Sequence, residues 1–148
     1  PDFSLVDTAR EAKSLSDFKG RSTVLAFFPG AFTGVCEKEL CSFRDSMAEL
    51  NELNANVVGI SIDGPFSNGA FKDRNALQFP LLSDYRREAI EAYGVALPDF
   101  AGMPGYTAAQ RSVFILDGEG VVRYKWIAEN PGIEPDYDEV KAELAKLV

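Results

Sequence analysis

The chain has 148 residues, 46% hydrophobic, 11% aromatic and 26% charged, the make-up of one globular domain (residues 1–148) with room for a real core. Its net charge of −8 disfavours nucleic acid or an anionic membrane surface as a partner, and the apolar runs at 24–28 and 113–116 fall far short of the roughly 18 residues a membrane span needs. Histidine is absent and only two cysteines are present, which excludes Ser-His and Cys-His hydrolases, histidine-ligated haem, Cys-rich zinc sites and iron–sulfur clusters within one chain.

Asp2-Phe3-Ser4-Leu5-Val6 alternates polar with apolar and predicts a short strand, followed by a polar connection over 14–20. Residues 22–28 read as a buried strand bounded by Lys19-Gly20 and Pro29-Gly30. A helix is predicted from Thr33 to about Asn54, because Leu40, Phe43, Met47 and Leu50 recur at steps of three and four and Cys36 extends the stripe one turn back. Residues 57–62 predict a second strand, ending at Asp63-Gly64-Pro65, and 66–77 a helix despite Gly69. Strand, helix, strand, helix with short links implies a parallel crossover. Then come a short strand or extended turn at 81–84, a helix at 86–93 closed by Gly94, and a loop over 99–109 broken by Gly102, Pro104 and Gly105. The runs 112–116 and 121–126 flank Asp117-Gly118-Glu119-Gly120 and predict an antiparallel hairpin, and 136–148 an amphipathic helix carrying Val140, Leu144 and Leu147. With no repeat, low-complexity tract or linker, the expectation is one α/β domain, a mixed central sheet flanked by helices on both faces.

Pro29-Gly30-Ala31-Phe32-Thr33-Gly34-Val35-Cys36 opens onto the longest helical pattern and sets Cys36 in a helical first turn. Free N–H groups and the positive end of the helix dipole favour an anion there, so Cys36 is a candidate reactive thiolate. Thr33 is the expected N-cap, its side-chain oxygen accepting from the backbone N–H of Cys36, and Pro29 can shield one side of the sulfur. Glu37 and Glu39 repel a thiolate, which calls for a cation. Lys38 points about 200° away around the helix. Arg111, opening a strand after the Gly/Pro-rich loop, is a reasonable choice because a guanidinium stays charged and offers several donors. Spacing does not select it over Arg44, Arg74 or Arg123. The bland alternative for Cys36 is a small buried apolar residue.

The run Pro-x-x-x-Thr-x-x-Cys after a central strand resembles the active-site signature of the peroxiredoxins. Pro1-Asp2-Phe3, Phe79-Pro80-Leu81-Leu82-Ser83-Asp84, Ala92-Tyr93-Gly94-Val95 and an arginine before Val113-Phe114-Ile115-Leu116-Asp117 extend the resemblance over nearly the whole chain. It implies a thioredoxin-like fold and thiol-dependent reduction of hydroperoxides with no metal or bound organic cofactor. By position it makes Cys36 the peroxidatic cysteine, Thr33 and Pro29 the organisers of its pocket, Arg111 the activating arginine and Glu39 the carboxylate that orients that arginine. It also implies a homodimer through loops around the site, where Phe32, Phe100 and Tyr106 are candidates for contact or substrate-pocket residues.

Across five residues of intact helix the Cα atoms of Cys36 and Cys41 stand roughly 8.6 Å apart, against the limit of about 7 Å for a disulfide, so pairing requires the first turns to unwind, Gly34 offering a weak point. The Cys-x-x-x-x-Cys spacing resembles the bacterioferritin-comigratory (peroxiredoxin Q) branch, whose resolving cysteine lies on the same helix. Thr-Gly-Val-Cys-Glu-Lys-Glu-Leu and the stretch from Leu-Leu-Ser-Asp to Ala-Tyr-Gly-Val look equally like the AhpE-type branch, many of whose members rely on one catalytic cysteine. The expectation is that Cys41 resolves the Cys36 sulfenic acid and that thioredoxin or a similar dithiol protein reduces the disulfide. Resolution by an external thiol and a non-enzymatic redox sensor are the alternatives; a thiol–disulfide oxidoreductase would want Cys-x-x-Cys. One cysteine pair is not the disulfide framework of a small secreted domain and no stretch reads as a signal peptide, so a cytoplasmic location is expected.

Overall fold

A computed structural model describes residues 2–147. Pro1 of the opening motif and Val148 of the expected last helix lie outside them. In chain order the elements are Ser4–Val6 (β1), Ala12–Ser14 (β2), Ser22–Phe27 (β3), Gly34–Asp45 (α1), Met47–Glu52 (α2), Ala55–Ser61 (β4), Pro65–Arg74 (α3), Leu81–Ser83 (β5), Glu88–Ala92 (α4), Ala96–Leu97 (β6), Ala108–Ala109 (β7), Ser112–Leu116 (β8), Val122–Ile127 (β9) and Tyr137–Ala145 (α5).

Seven strands form one mixed sheet in the order β2-β1-β5-β4-β3-β8-β9. Its centre, β3, β4 and β5, is parallel, because the helical crossovers return the chain to the same edge each time. Both flanks are antiparallel, through the β8–β9 hairpin on one side and the β1–β2 pair on the other. From Thr23 onward every residue of β3 is buried, as a central strand covered on both faces requires. Its alternation sends Val24, Ala26 and Phe28 into a cluster with Cys36, Leu40 and Phe43 of α1, Leu50 of α2, Phe71 of α3 and Val140 and Leu144 of α5. Leu25 and Phe27 face the opposite cluster, with Ile90 of α4, Leu15 and Tyr93. Gly59 of β4 is required by packing: a Cβ there would come within 2.6 Å of Leu81 Cδ2 and 3.3 Å of Phe28 Cε1.

Five expectations are corrected. The connection over 14–20 is part strand, since Ala12–Ser14 pairs with β1, and Leu15–Phe18 is a 3-10 turn in which Asp17 Oδ2 accepts from the Ser14 N–H at 2.7 Å. The long helix over 33–54 is two, broken at Ser46 (φ −93, ψ 3), a residue type whose hydroxyl competes with helical hydrogen bonds. The apolar stripe survives the break, which hid it. Residues 66–77 are helical only as Pro65–Arg74. The helix expected over 86–93 starts at Glu88, because Arg87 is left-handed (φ 62) and the Asp84 carboxylate accepts from the Ala89 and Ile90 N–H groups instead. The loop over 99–109 contains a 3-10 turn at Phe100–Gly102 and strand β7, whose two alanines pair with β6 and are too few to show a period.

Candidate active site

The last sheet hydrogen bond on this side runs from the Phe28 N–H to Ile60 O at 2.9 Å, and Pro29, which has no N–H, leads the chain off the sheet. The loop that follows is braced twice. Asp63, just past β4, accepts from the Ala31 N–H through Oδ2 at 2.7 Å and from Ser61 Oγ at 2.9 Å. Thr33 Oγ1 donates to Gly30 O at 2.9 Å. Between them Phe32 is left-handed (φ 66), a conformation costly for a bulky residue, and its ring packs edge-on to Phe71 at 5.3 Å.

The expected cap is corrected here. Thr33 holds the N-cap position by backbone geometry (φ −84, ψ 144), but its hydroxyl turns back into the loop and makes no capping bond. The first helical bond is Glu37 N–H to Thr33 O at 2.9 Å, so the N–H groups of Gly34, Val35 and Cys36 lie ahead of the helical ladder, as the first turn of any helix leaves them. Their partial positive charge is thus left for another anion.

Cys36 is fully buried on α1, and Arg111 Nη2 lies 3.2 Å from its sulfur. Arg111 Nη1 donates to Glu39 Oε1 at 2.9 Å, and Nε and Nη2 both donate to Pro131 O, at 3.1 and 3.0 Å. Cys36 and Glu39 are three residues apart and so share a helix face, which lets one planar guanidinium span both. The other arginines are engaged elsewhere: Arg44 with Asp45 and Asn75 O, Arg74 near Glu37, Arg123 with Asp117. Lys38 pairs with Glu134 at 3.2 Å.

Burial pushes the Glu39 carboxyl up to about 7, against the opposing charge and hydrogen bond of Arg111. Burial also works against the charge of Arg111, but Glu39 and Cys36 outweigh it and hold the guanidinium above its ordinary value. Glu39 Oε2 is buried with no hydrogen-bond partner among the described residues.

Beside this cluster an open depression of about 230 Å³ is lined by Pro29, Thr33, Val35, Phe100, Arg111 and Pro131, among others, and is almost wholly apolar. Cys36 lies beneath the lining rather than on it. Of the loop aromatics, Phe100 lines the depression, Tyr106 stacks beside it at 6.1 Å, and Phe32 stands on α3.

Cys41 is not brought to Cys36. Helix α1 is continuous from Gly34 to Asp45, and the partly buried Cys41 Sγ donates to Asn75 Oδ1 at 3.4 Å; both cysteines are free. No group of three or more Cys, Asp or Glu is placed to hold a metal ion among the described residues. Two contributors escaped the sequence reading. Asp63 stands at the end of a parallel strand beside a turn, a position that could have flagged it. Pro131 acts through its carbonyl, for which a side chain gives no signal.

Residues 1–125 match the model of the AhpC/TSA family. Peroxiredoxin Q from the chloroplast of Oryza sativa subsp. japonica is 40% identical over 124 residues, 84% of this chain and 55% of that protein. The chain thus spans about half the length of the chloroplast relatives it matches. Among solved structures, peroxidoxin BcpB from Mycobacterium tuberculosis is similar with a TM-score of 0.86 and 29% identity, covering 100% of this chain and 94% of that one. A peroxiredoxin-like protein from Aquifex aeolicus is similar with a TM-score of 0.88 and 30% identity, covering 100% and 84%. The fold is therefore thioredoxin-like, and the chain belongs to the AhpC/TSA family, the peroxiredoxins.

Proposed function

We propose that the chain is a thiol-dependent peroxidase, reducing hydrogen peroxide and organic hydroperoxides to water and alcohol. The observation that carries this reading is the 3.2 Å contact of Arg111 Nη2 with Cys36 Sγ at the start of α1. There a fixed cation and the first-turn N–H groups favour a thiolate. The Cys36 thiolate attacks the terminal peroxide oxygen, an S–O bond forming as the O–O bond breaks. A sulfenic acid results, and the departing oxygen takes from solvent the proton that the thiol released on ionising and leaves as water or alcohol. Arg111 and the N–H groups stabilise charge on the departing oxygen without reorganising. Thr33 Oγ1 donates its one hydrogen bond to Gly30 O, so its lone pairs are free to accept from the peroxide O–H. Because Cys36 is fully buried, peroxide enters through the depression beside Pro29, Thr33 and Phe100, whose apolar lining suits an alkyl group.

Cys41 then resolves the sulfenic acid, α1 unwinding to close the gap of roughly 8.6 Å, and thioredoxin or a similar dithiol protein reduces the disulfide. One cysteine pair in place of a disulfide framework supports a reducing, cytoplasmic setting. The exposure of Phe32 and Tyr106 (44% and 37%) beside the site supports a homodimer through these loops.

Treatment with one equivalent of hydrogen peroxide followed by mass spectrometry is expected to yield a Cys36–Cys41 linkage. The Cys36→Ser variant should consume no peroxide; consumption at the wild-type rate would overturn the peroxidase reading. Absence of the linkage, with unimpaired turnover in Cys41→Ser, would assign resolution to an external thiol.

A further inference from the structure

The resolving step has a feature that peroxide attack does not use. Helix α1 is held along its second half by the end of α3: Cys41 Sγ donates to Asn75 Oδ1 at 3.4 Å, and Arg44 Nη1, in the last turn, donates to Asn75 O at 2.6 Å. Arg74, one residue earlier, stands 4.0 Å from Glu37. The orientation of the Asn75 amide follows from its other end, since Nδ2 donates to Phe71 O at 3.1 Å and leaves Oδ1 toward the sulfur. This contact exists only while Cys41 carries its proton and while the second turn of α1 is helical. Both conditions end when Cys41 attacks.

We propose that Asn75 is a positioning residue of the resolving step: it keeps Cys41 on the last turn of α3 and so sets how long the Cys36 sulfenic acid persists before the disulfide forms. The inference rests on the proposed resolving role of Cys41. Resolution forms the S–S bond and breaks the S–O bond of the sulfenic acid, the Cys41 proton leaving with the hydroxide as water. A second hydroperoxide competes for the same sulfur, oxidising the sulfenic to the sulfinic acid while its own O–O bond is reduced to water or alcohol. A tighter hold on Cys41 lengthens the exposure to that second oxidant. Removing Asn75 Oδ1 weakens only the helical, reduced arrangement, because the unwound segment has already lost the contact. The unwound segment therefore becomes more populated and resolution faster. The Arg44 bond goes to the backbone of residue 75 and survives a side-chain change.

The test follows Trp126, which packs against the same core cluster as Cys36, by stopped-flow fluorescence after excess hydrogen peroxide, with mass spectrometry of the products. Peroxide attack gives a phase whose rate rises with peroxide; resolution gives one that does not. In Asn75→Ala the first phase should match the wild type, and the second should be faster by about fivefold, the effect of losing one neutral hydrogen bond. The fraction of Cys36 carrying two added oxygens should fall. Asn75→Asp, which keeps an acceptor oxygen at the same reach, should resolve no faster than the wild type. Asn75→Ser, too short to reach the sulfur, should behave like the alanine variant and guards against a folding defect in the latter. Equal second-phase rates and equal sulfinic fractions in wild type and Asn75→Ala would overturn the proposal, as would a slowing of both phases together. If the wild type forms no Cys36–Cys41 linkage, the resolving role of Cys41 has failed and this inference falls with it. A linkage whose rate is indifferent to residue 75 overturns the role of Asn75 alone.

Discussion

Arg111 and Glu39 form an ion pair of 2.9 Å with side chains only 2% and 0% exposed, and the same guanidinium reaches Cys36 through its other terminal nitrogen at 3.2 Å. The pair therefore does two things at once: it fixes the arginine's plane, and it divides one positive charge between a carboxylate and a thiol. A buried pair of this kind is weak evidence of stability, but its loss exposes the imbalance it conceals.

Replacing Arg111 by Met leaves Glu39 buried and unpaired and the sulfur without its cation. Peroxide consumption is expected to slow by about 100-fold or more, the scale of removing one preorganised donor from a reacting centre. Unfolding free energy in urea should drop by about 3–5 kcal/mol. Arg111→Lys should recover stability in part but not the rate, since a single ammonium cannot meet Cys36, Glu39 and Pro131 O together. Wild-type kinetics in Arg111→Met would remove the arginine from the mechanism.

Glu39 predicts a pH dependence of stability. Its carboxyl titrates at an ordinary 4.5 when unfolded and is pushed up to about 7 by burial in the native state. Between these values the native protein holds a proton that the unfolded chain has released, so stability falls as pH rises through the window and levels off above it. Urea midpoints measured from pH 4.5 to 7 should decline in the wild type and decline less in Glu39→Gln, which keeps an oxygen for Arg111 without the titration. Parallel curves for the two proteins would refute this assignment.

Asp63 touches no reacting atom, yet it sets the loop that carries Thr33, through the Ala31 N–H at 2.7 Å. Asp63→Ala removes the acceptor from a partly buried amide and should cost about 1–3 kcal/mol of stability. It should also lower kcat/KM for peroxide by loosening the Gly30–Thr33 brace, whereas Asp63→Asn, retaining one carbonyl oxygen, should recover most of both. A stability loss with unchanged kcat/KM would make Asp63 a structural residue only.

Several features were legible because their signal is local. The buried run of β3, the hairpin turn between β8 and β9, and the stripe from Cys36 to Leu50 are written in spacings of two, three and four residues, and burial follows spacing. The left-handed Arg87 and the break at Ser46 were not legible, since the apolar period runs through one and ends near the other without marking either.

The chain by itself determined that Cys36 begins a helix at the end of a central strand and that Glu39 shares its face, because helical periodicity and the Pro29-to-Thr33 loop are properties of neighbouring residues. Only the tertiary structure decided which arginine arrives there, since Arg111 lies 75 residues from Cys36 and its competitors found nearer acceptors. The Thr33 hydroxyl could accept from a first-turn N–H or donate to a loop carbonyl, and the fold of the loop turned it to Gly30 O. The anchoring of Arg111 turns on where a backbone carbonyl, that of Pro131, comes to rest, and no side chain announces that in advance.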